Sequence, residues 1–393
     1  MSRRAGATMV ELLITMSIVA GLAAVTLPGV QSVRESARLL ACRHKVSQLA
    51  LACTSYETSL RSFPSGGWGP NWLAIPNRTG DTSQPGSWLL TVLPFVGENG
   101  GRNLPGSAKA LAAAYPTFAA QPMPILACPS RRKSAALPVT GTAGFLVGGG
   151  FTATITKATR SDYCINGGGV GSCPPLSLYP APTSVSGGRW VPICHAVNGK
   201  PSAGKTLRVS PATVVKHQAH ANDLLGDCAT CTQPVEAVMA QPTYLTQGDL
   251  WRAMTPQTRA VKLRDYAIPD LQDGIVQRMS RLRSLSISDG LSNTYLLGEK
   301  YVATDAYLTG GDVGDSRPLL VGYSSDTVRW GSAAPYPDSR GVSRPTSFGS
   351  PHAEGWNAAF ADGATRTVSF SIDATLHRQL SRRADAAGVR PAP

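Results

Sequence analysis

His352 is separated by nine residues from Asp362-Gly363 and stands two places after Ser350, which together are the residue types of a hydrolytic triad. Their spacing argues against that use. Trp356, Ala358 and Phe360 alternate as a strand between them, and at about 3.3 Å per residue this sets Asp362 roughly 20 Å or more from His352, too far to share a proton. Asp362 then reads as a turn residue, and His352 as a loop residue whose ring bonds backbone or marks a contact surface. His217-x-x-His220 ahead of Cys228-x-x-Cys231 carries the ligand types of tetrahedral zinc, but the spacer between the pairs is short. A Cys228–Cys231 disulfide, or pairing with Cys194, competes for the same thiols. Glu299, Asp312 and Asp315 offer oxygen for Ca²⁺ in a spacing that matches no calcium loop. Asp289, Ser292 and Asn293 are side chains that bond their own backbone in turns. With no constellation of workable geometry, the expectation is a protein that is not an enzyme and needs no cofactor.

Thiol chemistry depends on compartment. Eight cysteines outside the cytoplasm could make up to four disulfides, whose pairing spacing alone does not give. Cys42 and Cys53 share a helix face but lie about 16 Å apart, so they cannot bond each other. Cys164 with Cys173 would close a Gly-rich loop.

The remaining reactive residue is Glu11, and the element that holds it is the most legible in the chain. Met9 to Leu27 carries no other charge, and as a helix it spans roughly 28 Å, close to a bilayer core. Arg3 and Arg4 precede it, which holds the short N-terminal end in the cytoplasm and puts the remainder outside. A cleaved secretory signal would be followed by polar mature sequence. Here Val30, Val33, Ala37, Leu40, Leu49, Cys53, Tyr56 and Leu60 recur mostly at three or four, with charged residues between them. One helix, apolar all round and then amphipathic after a kink at Pro28, explains both halves. A carboxylate inside the apolar run is costly without a cationic partner, and such residues usually mark function.

In the other residues, 42% hydrophobic composition supports a core, while Gly 40 and Pro 30 predict a head rich in loops and turns. The net charge of +13 is spread thinly, apart from Arg131-Arg132-Lys133 and Arg382-Arg383, and no nucleic-acid-binding pattern accompanies it. Ser87 to Phe95 reads as a short apolar helix or strand, 107 to 120 as a helix, and Ile125 to Ser130 as a buried strand ending at a turn. Residues 134 to 270 read as a loop-rich insertion. Asp289-Gly290 predicts a turn followed by a strand. Trp356, Ala358 and Phe360 against Val368, Phe370 and Ile372 share a face only if the loop is odd. A three-residue turn with Gly363 left-handed follows.

Arg3-Arg4 with Gly6-Ala7-Thr8-Met9-Val10-Glu11-Leu12-Leu13-Ile14 resembles the cleavage and methylation signal of type IV prepilins and type II secretion pseudopilins. Pro28 falls on the helix-kinking Pro of those proteins. Val30 to Arg38, Phe63-Pro64, Leu126-Ala127-Cys128-Pro129-Ser130, Asp289-Gly290-Leu291-Ser292-Asn293-Thr294 with Gly298-Glu299, and His352 with Asp362-Gly363 resemble the pilin-like family catalogued as domain of unknown function 1559, with its C-terminal H-x(9)-D-G module. The resemblance implies an α+β pilin-like fold: a long kinked N-terminal helix packed on an antiparallel β-sheet head with long Gly/Pro-rich loops. It implies a leader at 1–6, cleavage after Gly6 and methylation at Ala7, a helix over 7–60 (transmembrane to 28, amphipathic beyond), and a head over 61–393 with the H-x(9)-D-G hairpin at 345–375.

The implied function is that of a prepilin-like structural subunit assembled into a pilus, a pseudopilus or another envelope-anchored structure. The implied location is the cytoplasmic membrane, with a single pass, the N-terminus inside and the head displayed outward. The implied partners are prepilin peptidase, the membrane, the pilus or secretion assembly machinery, and copies of this chain or other pilin-like subunits, with no nucleic acid. Glu11 would pair with the free amine of a neighbouring subunit's Ala7 and set the register of assembly. The family tends to have cysteine at Cys42 and Cys128, which implies a bridge from helix to head if helix and strand pack there; otherwise the two are buried thiols. The alternative function is a membrane-anchored extracytoplasmic binding module for a glycan or other exported ligand, using 134–270.

Overall fold

The computed structural model describes residues 9–76, 78, 84–140, 144–148, 151–169, 191–197, 200–209, 224–225, 273–277 and 280–384. A single helix, α1 (Met9–Leu60), dominates the N-terminal end and runs through Pro28 without interruption. Among the described residues it is the one helix long and apolar enough to cross a membrane, with a mean hydropathy of 2.1 in its most apolar window and none of that window buried. No residue of α1 before Cys42 is buried. From there Cys42, Val46, Leu49, Ala50, Cys53 and Tyr56 form one stripe at steps of three and four and sink into the head. The docked stripe is shorter than the expected one. Val30, Val33 and Leu40 share the apolar spacing but stay exposed; Val33 and Leu40 stand two residues from Glu35 and Cys42 and so point away from the face of α1 that meets the head.

Two shorter helices follow, α2 (Trp88–Val92) and α3 (Ala108–Ala119), capped by Ser87 and Ser107 side chains that accept from Leu89 N and Ala110 N. The expected strand at Ile125 to Ser130 does not form. Pro124 opens a short 3₁₀ turn, Pro124–Leu126, and its missing N–H suits a helical start better than a sheet ladder.

Strands β1 (Ala136–Pro138) and β4 (Lys157–Thr159) pair antiparallel, as do β2 (Gly144–Gly148) and β3 (Phe151–Thr154). β5 (Tyr163–Asn166) enters the main sheet, and β6 (Val191–Val197), β7 (Lys200–Val209) and β8 (Leu224–Leu225) form a three-stranded sheet of their own. Then come β9 (Tyr295–Glu299), β10 (Val328–Arg329), β11 (Tyr336–Pro337), β12 (Gly349–Ser350), β13 (Trp356–Phe360) and β14 (Thr365–Val368), with a closing helix α4 (Ala374–Ser381). The main sheet runs β10-β5-β9-β13-β14, antiparallel except for the parallel β10–β5 pair. The segment expected to be an insertion therefore supplies β5, an inner strand of the head.

The β13–β14 hairpin has the expected odd loop. Trp356 faces Val368, Ala358 faces Arg366, and Phe360 N donates to Ala364 O, which leaves Ala361-Asp362-Gly363 as the turn with Gly363 at φ +88°. Trp356, Ala358 and Phe360 lie on the sheet face packed with Tyr295, Phe348 and Leu380. Its other face is buried too: Tyr163, Ile165, Leu297 and Ala359 join the core that contains the α1 stripe. The sheet is thus a middle layer between α1 and α4. Gly298 is required there, because a Cβ would stand 2.4 Å from the Trp356 ring and 2.8 Å from Asn357 O.

Candidate functional site at the helix–head junction

Four elements deliver reactive side chains to the place where α1 meets the sheet. Glu35 and Cys42 are seven residues apart on α1 and so share a face. Cys128 sits in the turn after Pro124–Leu126, held by its N–H donating to Asp162 Oδ2 at 2.7 Å. Glu299 ends β9 on the face toward α1, where Asn357 donates to its Oε2 from both N (2.8 Å) and Nδ2 (3.0 Å). His352 precedes β13, its N–H donating to Ser350 Oγ, while Ser350 Oγ donates to Gly355 O. The Cys42, Cys128, Glu299 and His352 side chains are buried, and one nitrogen, oxygen or sulfur atom from each lies within 4.8 Å of every other.

The ring of His352 is the centre of this set. Its Nε2 lies 3.8 Å from Cys128 Sγ and 3.4 Å from Glu299 Oε1, and its Nδ1 lies 3.0 Å from Glu35 Oε1, which also accepts from Ser130 Oγ at 2.8 Å. Burial opposes the charge on His352, but the hydrogen bond to Cys128 and the close Glu299 carboxylate with its charge outweigh it and raise the imidazole to about 10. The bond to Cys42, together with burial, pushes the Cys128 thiol up, so it is no ready nucleophile. Glu299 Oε1 and Tyr163 OH are buried without a hydrogen bond. These facts revise the reading of His352 as a ring bonding backbone or a contact surface: it is a buried link between helix and head.

Beside this set lies a buried ionic network. Arg131 pairs with Asp162 (3.1 Å) and Asp338 (2.8 Å), Arg132 with Asp162 and Asp315, and Lys300 with Asp315 (2.9 Å). Burial alone would raise the Asp315 pKa, but Arg132 and Lys300 hold it far below the usual carboxylate range. The three acids weighed as calcium ligands are not brought into one site: Asp315 is neutralised by cations, Asp312 bonds Ala303 N, Gly314 N and Ser343, and Glu299 turns to His352. Two members of the Arg131-Arg132-Lys133 run are likewise buried in pairs, because the alternative is an unpaired charge in the core.

A family model described as "Protein of unknown function (DUF1559)" matches residues 31–180 and 228–375, well over half of the chain. The chain belongs to that family. All four junction residues fall inside the DUF1559 match, and so do 134–180 and 228–270 of the segment read as an insertion, which leaves 181–227 as the unmatched interior. No curated protein and no solved structure matches the chain.

The DUF1559 sequence features separate in space. His352 and Asp362 lie beyond opposite ends of β13, and Asp362 Oδ1 accepts from Ala364 N within its turn. That turn meets the other one: Ala361 N donates to Thr294 O and Asp362 N to Leu291 O, so Asp289-Gly290 through Asn293 buttresses the hairpin tip. Asn293 Nδ2 donates to Asp289 O, as turn chemistry predicts. Cys42 and Cys128 are brought together, yet as free thiols and not the expected bridge, sharing their pocket with His352 and Glu299. Cys164 is a buried thiol facing Gly298 O, and Cys173 lies outside the described residues. Glu11 and Pro28 lie on the exposed half of α1. Gly6, Ala7, His217, His220, Cys228 and Cys231 lie outside the described residues.

Sequence reasoning missed Glu35, Tyr163 and the part Glu299 plays. A usable signal existed for Glu35, whose seven-residue spacing from Cys42 puts both on one helix face. None existed for Tyr163, which reads as an ordinary strand aromatic.

Proposed function

We propose that this DUF1559 protein is a structural, prepilin-like subunit: cleaved after Gly6, methylated at Ala7, anchored in the cytoplasmic membrane by α1 with its head outside, and assembled side by side with copies of itself or other pilin-like subunits. The observation that carries this reading is the division of α1. Leu12, Leu13, Ile14, Ile18, Val19, Leu22, Val25 and Leu27 are each more than half exposed, whereas the stripe from Cys42 onward is buried in the head. So much bare apolar surface on one helix needs a lipid or protein environment. Family membership supports the pilin-like architecture, and the run from Arg3 to Glu11 supports processing by a prepilin peptidase and handling by a pilus or type II secretion machine. On this reading, Glu11 meets the Ala7 amine of the next subunit. A cavity of about 280 Å³ at the other end of α1, lined by Tyr56, Ile75, Gln84 and Phe95, falls just below the size of typical ligand sites of roughly 300–1,000 Å³, so it adds little to a binding-module role.

The test is mass spectrometry of the protein recovered from membranes of cells that express a prepilin peptidase. A mature N-terminus at Ala7 is expected, and its absence when the peptidase is deleted. An intact Met1–Gly6 leader in peptidase-positive cells would overturn the processing claim.

A further inference from the structure

The four-residue set at the junction has the composition and geometry of a metal centre, and we infer that Cys42, Cys128, Glu299 and His352 bind one thiophilic divalent cation, best suited to Zn²⁺, which clamps α1 to the head. Two sulfurs, an imidazole nitrogen and a carboxylate oxygen form a borderline-soft donor set that favours zinc over calcium or magnesium. The spacing agrees. Bond lengths of about 2.3 Å to sulfur and about 2.0–2.1 Å to nitrogen and oxygen give tetrahedral edges of about 3.6 Å for S···N and about 3.4 Å for N···O. Here Cys128 Sγ to His352 Nε2 is 3.8 Å and His352 Nε2 to Glu299 Oε1 is 3.4 Å.

Beyond the distances, Glu299 is wholly buried and its Oε1 points into the set with no hydrogen bond and only the 3.4 Å ionic contact to His352 Nε2, while Oε2 is fixed by Asn357. A buried carboxylate oxygen held only by that contact has acceptor capacity left for a cation. His352 is oriented as a ligand should be: Nδ1 is engaged by Glu35, which leaves Nε2 facing the two sulfurs and the carboxylate.

Binding displaces the thiol protons of Cys42 and Cys128 and any proton on His352 Nε2. Two thiolates and one carboxylate around Zn²⁺ leave a net charge of −1. Lys45, whose ammonium donates to Pro124 O and Ala127 O at 2.7 Å, supplies positive charge next to the Cys128 turn. With four protein ligands and no open position, the site is structural, not catalytic. It would fasten α1, the 124–128 turn, β9 and the loop before β13 at one point.

The test uses the full chain in detergent micelles, with Cys173, Cys194, Cys228 and Cys231 replaced by Ser so that any thiolate signal reports the described thiols. Loaded with Zn²⁺ or Co²⁺ under reductant and freed of excess metal, it should hold one equivalent. The cobalt form should show thiolate charge-transfer absorption and tetrahedral visible bands. C42S and C128S should each reduce the charge-transfer absorption, whereas C53S and C164S should leave it unchanged. His352→Gln and Glu299→Gln keep the side-chain size and should weaken binding at least tenfold with an unchanged far-ultraviolet circular dichroism spectrum. Glu35→Gln should weaken it by about tenfold or more through the orientation of His352. No stoichiometric metal, a cobalt spectrum indifferent to C42S and C128S, or protein recovered from membranes with a Cys42–Cys128 disulfide in place of metal would each overturn the inference. None of these readouts depends on leader processing, so the metal site can fail while the prepilin reading stands, and the reverse.

Discussion

His377 lies on α4, wholly buried, with the rings of Tyr295, Phe348 and Trp356 around it at centroid distances of 5.6, 6.0 and 6.0 Å. Burial disfavours its charged form and brings its pKa from 6.5 down to about 4. The unfolded chain therefore binds a proton on this residue between about pH 6.5 and 4 that the folded chain does not. Stability is fully present above the unfolded value, falls as pH drops through this window, and levels off below the folded value. A displacement from 6.5 to about 4 corresponds to about 3 kcal/mol in all. The assay is denaturant unfolding of the full chain in micelles at steps from pH 7.5 to 4, compared with His377→Phe, which keeps a ring against Trp356 but cannot titrate. Carboxylates contribute to both proteins, so the difference between the two curves isolates His377. Wild type should lose about 3 kcal/mol relative to His377→Phe across the window. Parallel curves would refute the idea that α4 docks with a neutral imidazole.

Gly298→Ala should destabilise the head by about 1–3 kcal/mol in the same unfolding assay, since the added methyl must displace the Trp356 ring or the β13 backbone. Leu49→Ala empties a wholly buried position of the docked stripe and should cost about 2–5 kcal/mol, whereas Leu40→Ala, on an exposed turn of the same helix, should stay within about 0.5 kcal/mol of wild type. If the two are equal, the docked face of α1 has been misassigned. Glu11→Ala and Glu11→Gln should leave membrane insertion and leader cleavage intact but lower the yield of assembled subunits, read by imaging and immunoblot of sheared surface fractions. Filament yield equal to wild type in both would remove the register role of Glu11.

Neighbours along the chain are enough to specify two parts of this fold. The helix from Met9 to Leu60 is legible because an uninterrupted apolar run and then a three-and-four spacing are local patterns, and a single helix satisfies its own backbone hydrogen bonds. The hairpin turn at Asp362-Gly363 is legible because strand parity admits only an odd loop if the two apolar sets are to share a face. The pairing of turns, Asp289 to Asn293 against Asp362, is not legible, because it rests on backbone bonds across a gap in sequence that side-chain identity does not encode.

Packing of the head decides how much of α1 docks, since the apolar spacing continues from Val30 while apolar burial starts only at Cys42 and the head meets Glu35 beyond it. Pro124 and the ionic network decided that 124–130 turns instead of extending, and that Arg131 and Arg132 face inward. The junction itself is readable only in fragments: the family resemblance puts Cys42 and Cys128 together and the strand pattern leaves His352 in a loop, but no spacing joins Glu299 to them. Those four residues lie on four elements scattered along the chain, and their convergence is set by packing α1 across β9 and β13. Spacing in sequence carries no information about a site whose ligands are positioned by separate elements, because each element is fixed by its own core contacts and not by the chain between them.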